Sequence, residues 1–178
     1  LALIGVNWIA WPTLWALTCV LGTQNLVVLG ARDVGTALWW LGLILWFAIM
    51  YTFFTAVTVR ARKPTLKRGI NGAWLIAAVS TQSVVVLRGV IDVDAPPPEV
   101  IQFQVIAMFL IGCMLYLAII PLIFYRLTFV PMSREDFSPP YWINMGAVAI
   151  TALAGSVLIL RGETWPLLGP LLPFLRGF

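Results

Sequence analysis

Long apolar blocks, broken by short polar loops, run the length of this chain. A helix crossing a bilayer takes about 20 mostly apolar residues. Stretches of that kind fall at about 13–29, 37–59, 71–90, 100–127 and 141–160. The first follows a Trp- and Pro-marked entry, WIAWP, and the fifth follows the helix-starting pair Pro139-Pro140. The fourth contains Pro121, where a missing N–H predicts a kink. The closing segment WPLLGPLLPFLRGF holds three prolines and reads as a surface connection toward a further helix. The fold class expected is all-α, a multi-pass bundle of membrane helices in one domain over 1–178 that continues beyond both ends.

The blocks alternate in kind. Spans one, three and five are small and polar: LTCVLGTQN, AVSTQS and NMGAVAITALAGS. Spans two and four, WWLGLILWFAIMYTFF and IAMFLIGCMLYLAIIPLIFY, are bulky and oily. Thr23-Gln24-Asn25 is echoed by Thr81-Gln82-Ser83, 58 residues later. This pattern predicts a repeated pair, one polar helix facing inward and one oily helix facing lipid.

The loops supply an orientation. Arg60, Arg62, Lys63, Lys67 and Arg68 lie between spans two and three without an acid, and Asp92, Asp94 and Glu99 lie between spans three and four. The positive-inside rule places the 60–70 loop in the cytoplasm and the acidic loop outside. Trp39, Trp40, Trp74, Trp142 and Trp165 then fall near span ends, as an interfacial aromatic belt predicts.

Composition narrows the chemistry. The chain is 61% hydrophobic and 10% charged, against about 25% charged in soluble domains. An integral membrane protein follows, with a prokaryotic inner membrane as the expected location. The net charge of +4 comes mostly from one loop at a membrane face, which argues against a nucleic-acid partner. There is no histidine, and Cys19 and Cys113 sit apart in apolar segments, so no metal, cofactor or disulfide framework is expected. No span carries an acid or base near its centre, which leaves a proton relay or a catalytic site without its groups. An enzyme is therefore not expected.

Uncharged donors in the polar spans suit an anion that has to leave again, because a deep charged site traps the ion. The donors are Thr18, Thr23, Gln24 and Asn25 on the first span, Ser80, Thr81, Gln82 and Ser83 on the third, and Asn144 and Thr151 on the fifth. At about 100° per residue four consecutive side chains circle most of a helix. Ser80 and Ser83 share a face and are the pore candidates, whereas Gln82 is assigned to interhelical contact. For any one hydroxyl the competing role is a bond back to its own helix. Ala147, Thr151 and Gly155 form a small-xxx-small stripe suited to close packing. Gly22 and Gly146 fit either packing or a pore wall. Arg88, at the outer end of the third span, is either an outer-mouth charge or a snorkelling anchor.

The segments KPTLKRGINGAWLIAAVSTQSVVVL, GCMLYLAIIPLIFYRLTF and SPPYWINMGAVAITALAGSVLIL, together with ALTCVLGTQ, resemble the tellurite-resistance/dicarboxylate transporter family, relatives of the plant slow anion channels. The resemblance implies ten helices in five hairpins around a central pore, with odd helices lining it. This chain would carry helices three to seven, and the family's gating phenylalanine would lie on a ninth helix outside it. A five-helix piece does not close such a ring and is not expected to conduct alone. The partners implied are small anions (C4-dicarboxylates, tellurite or sulfite in transporters, chloride or nitrate in channels), the lipid bilayer, and two further copies in a homotrimer. The alternative is a membrane subunit that does not conduct and uses its polar helices for assembly.

Overall fold

The computed structural model describes residues 32–61, 69–93, 96–131 and 139–177. The span expected at 13–29, with Thr18, Cys19, Gly22, Thr23, Gln24 and Asn25, lies outside the described residues. Every regular element among those described is helical. Helix α1 is Arg32–Val59, α2 is Ile76–Ile91, α3 is Glu99–Phe129, α4 is Ile143–Arg161 and the short α5 is Leu172–Gly177. Tight 3-10 turns at Gly72–Leu75, Pro139–Trp142 and Pro166–Leu171 lead into α2, α4 and α5. Four helical segments are long and apolar enough to cross a bilayer: α1, Gly72–Ile91, α3 and α4.

A helix satisfies its own backbone N–H and C=O groups, which is what lipid demands. The ends are managed individually. The Asn71 side chain accepts from the Ala73 N–H at 2.9 Å and caps the turn that starts the α2 span. Glu99 lies in the first turn of α3, and Arg88, Arg126 and Arg161 lie in the last turns of α2, α3 and α4. Each charge complements its helix dipole. Helix α3 runs through Pro121 without ending, at 31 residues. At 1.5 Å per residue it is about 46 Å long, more than the roughly 30 Å hydrocarbon core.

Helix α2 is the centre of the bundle and packs against α1, α3 and α4. Of its most apolar stretch 78% is buried, against 22% for α1, 33% for α3 and 22% for α4. Glycines allow the closest approaches. A Cβ on Gly89 of α2 would lie 2.1 Å from Val157 Cγ1 of α4. A Cβ on Gly112 of α3 would lie 2.6 Å from the Gln82 amide nitrogen. One apolar core joins Trp39, Trp46, Val85, Phe109, Leu158 and Trp165, and a second, toward the other end, joins Leu75, Ile119, Ile123 and Ala147.

The structure corrects one expectation. Trp39 and Trp165 are fully buried in the core, whereas Trp40 and Trp142 are exposed. Position near a span end does not decide which face a tryptophan occupies. The 165–177 segment lies largely at the surface, with its three prolines exposed, and sends Trp165, Leu168 and Leu175 into the core. The Gln102 amide of α3 fastens it, accepting from Leu167 N–H at 3.3 Å while donating to the Pro97 carbonyl at 2.8 Å.

Candidate functional site

The four uncharged polar residues at the middle of α2 are all buried. Their hydrogen bonds divide them by direction. Thr81 faces α1: its hydroxyl accepts from Trp46 Nε1 at 3.0 Å and donates to the Ala77 carbonyl at 2.7 Å. Gln82 faces α3, and its Nε2 donates to the Phe109 carbonyl at 3.3 Å and lies 3.6 Å from Cys113 Sγ. The notch at Gly112 makes room for that amide. Gln82 is thus an interhelical contact, while its Oε1 is buried without a partner.

Ser80 and Ser83 complete the turn. At about 100° per residue they fall on the arc that Thr81 and Gln82 leave, turned away from α1 and α3. Both hydroxyls donate to their own helix, Ser80 to Ala77 O at 3.0 Å and Ser83 to Val79 O at 2.8 Å. This back-bonding satisfies a hydroxyl in an apolar setting. A ligand receiving either O–H has to displace an intrahelical bond first.

On α4, Ala147, Thr151, Ala154 and Leu158 form the buried stripe. Thr151 also bonds back, to Ala147 O at 2.7 Å, and Gly155 approaches the Phe109 ring, with a Cβ placed 3.6 Å from it. Asn144 Oδ1 is buried and unpartnered. Gly146 is exposed, and a Cβ there would meet nothing within 4 Å. Thr151 lies five positions after Gly146, about 140° around the helix, so the two do not share a wall.

Arg88 does not snorkel. It is 6% exposed, and its Nε and Nη2 form a fork on Asp92, at 2.5 Å to Oδ2 and 2.9 Å to Oδ1. Its guanidinium stacks 5.0 Å from the Trp39 ring, and Trp39 Nε1 donates to the Val84 carbonyl at 3.0 Å. Arg161 closes the same end of the bundle by donating from Nε to Gly89 O at 3.0 Å, satisfying a carbonyl in the last turn of α2. Burial pushes the Asp92 carboxyl above the ordinary carboxylate range, against the lowering pull of Arg88 and then Arg161. At the opposite end Arg126 of α3 donates to the Ile70 carbonyl and lies 5.8 Å from the Tyr141 ring.

Asp92 and Arg161 do not stand among the candidates that the sequence suggests. The signal was present: Arg88 and Asp92 are four residues apart, the spacing of a helical ion pair. Placed in the acidic loop, Asp92 is separated from that partner. Among the described residues no cluster of three or more His, Cys, Asp or Glu is placed to hold a metal ion.

Two curated relatives match one segment of the chain. They are uncharacterised membrane proteins of Mycobacterium tuberculosis, strains CDC 1551 and H37Rv, each 47% identical over 45 residues. The match covers 25% of this chain and 23% of each relative, so the chain spans about a quarter of their length. No solved structure matches. The family model described as voltage-dependent anion channel matches residues 2–165, nearly the whole chain. With its apolar helices and their uncharged centres, the chain is an integral membrane protein that belongs to the voltage-dependent anion channel family.

Proposed function

We propose that the chain forms part of the passage for a small anion of the C4-dicarboxylate class, malate-like, with tellurite or sulfite as related cargo. The observation that carries this reading is the division of the α2 quartet. Thr81 and Gln82 are committed to α1 and α3, which leaves Ser80 and Ser83 on a third, uncharged arc at mid-helix. Hydroxyls that exchange an intrahelical carbonyl for a passing anion make weak sites, and weak sites release the ion. Asn144 and Thr151 of α4, and Thr18, Gly22, Thr23 and Gln24 of the first span, are the further candidates for that wall; Gly146, on another face of α4, is not. The assembly proposed is a homotrimer in a prokaryotic inner membrane, with the 60–70 loop in the cytoplasm.

The test is anion flux by the full-length protein in proteoliposomes. Malate flux that changes several-fold in Ser80→Ala or Ser83→Ala, with thermal stability unchanged, supports the reading. Absence of flux for every anion, voltage and pH overturns it. One observation favours the second reading, a subunit with an assembly role only: every described quartet donor is already satisfied within the protein. That reading predicts serine variants that alter stability and leave flux untouched.

A further inference from the structure

The C-terminal ends of α2 and α4 bring two arginines to one carboxylate. Asp92 occupies Nε and Nη2 of Arg88, and Arg88 Nη1 remains buried without a partner. Arg161 holds Gly89 O through Nε and also acts electrostatically on Asp92. The cluster therefore carries two cations against one anion, beside the Trp39 face. An unsatisfied N–H on a buried guanidinium is costly, and a carboxylate or halide is its natural complement.

We propose that the Arg88–Arg161 cluster is a binding site for a small carboxylate or halide, and that the Asp92 side chain is its built-in occupant. A two-point fork on Arg88 is the geometry that a free carboxylate would adopt. Asp92 follows the last residue of α2, so its side chain is carried by the chain leaving the helix. Protonation at a carboxyl oxygen removes its negative charge, weakens its hold on Arg88 and admits an external anion. The sign follows from the environment. Burial raises the Asp92 carboxyl, so proton uptake begins at a higher pH than for an ordinary carboxylate. Anion binding strengthens as pH falls through that range.

Other charges stand near this end of the bundle: Arg32 and Asp33 in the first turn of α1, Glu99 in the first turn of α3, and Glu163 just after α4. Arg88 and then Arg161 pull the Asp92 carboxyl downward against its burial.

The inference rests on anion passage as proposed above, and its test reads binding separately from flux. Iodide quenching of Trp39 emission is measured in the full-length protein, as the difference between otherwise identical proteins with and without Trp39→Phe. Wild type is expected to need several-fold less iodide for half quenching at pH 5 than at pH 8. Asp92→Asn is expected to hold the low value at both pH values, and Arg88→Gln added to it to restore weak quenching. Should Asp92→Asn fail to fold, the wild-type pH series decides alone. Half-quenching concentrations that are equal at the two pH values, or equal in wild type and Asp92→Asn, overturn the site. Tight acid-side binding without flux leaves the site standing and overturns the proposed passage. Flux with binding indifferent to pH and to Asp92 does the reverse.

Discussion

Helices α2 and α3 lie side by side and have opposite characters. Helix α3 is the oilier and longer, yet Phe103, Met114, Leu117 and Phe124 stand on its exposed side. Helix α2 carries a serine, a threonine, a glutamine and another serine at its middle, and all four are buried. In water the ranking would be reversed. Lipid is as apolar as leucine, so hydrophobicity does not pull a side chain into the protein, whereas hydrogen-bonding and small groups do. The contact between the two helices follows that logic, with a polar amide set into a glycine notch.

Substitutions on the two helices sharpen this contrast, and the largest effect is expected at the end of α2. Arg88→Met strips Asp92 of its fork, and leaving one partner of a buried pair alone costs about 3–5 kcal/mol. Thermal unfolding in detergent should register it as severe destabilisation. Next, Gly112→Val pushes against the Gln82 amide across the helix contact. Overpacking of this sort costs about 1–3 kcal/mol, and Gln82→Ala in the same chain should recover part of it. Thr81→Val removes the acceptor of Trp46 Nε1 with little change of shape. Interhelical hydrogen bonds in membranes average about 0.6 kcal/mol, so a small but measurable loss is expected. Met114→Leu, on the exposed side of α3, should change stability by less than about 0.5 kcal/mol. A large loss there, or none at Arg88, would break the contrast.

Much of this architecture is legible in the sequence, because lipid leaves the backbone few choices. The apolar blocks at 37–59, 71–90, 100–127 and 141–160 correspond to helical segments within a few residues, apart from the α1 start at Arg32. Gln82 is legible as a contact because a helix turning 100° per residue cannot present four neighbours to one side. Direction is harder to read. Trp39 and Trp165 sit at span ends, yet both are buried in the apolar core, Trp39 with its Nε1 on the Val84 carbonyl of α2. Arg88 looks like an anchor only while Asp92 is assigned to the loop. The hydroxyls of Ser80 and Ser83 reveal no partner in the sequence, since the backbone carbonyl that takes each one is available at every helical position.

On the proposed function, the arc holding Ser80 and Ser83 faces an aqueous anion path while Gln82 faces α3. A charged, water-soluble thiol reagent tests it on the full-length protein, with Cys19 and Cys113 replaced by alanine. Single cysteines are introduced as Ser83→Cys and Gln82→Cys. Rapid modification of Ser83→Cys, slowed by malate, beside slow modification of Gln82→Cys is the predicted result. Equal protection of both positions in a protein that still moves anions, or faster modification at Gln82→Cys, would contradict that placement.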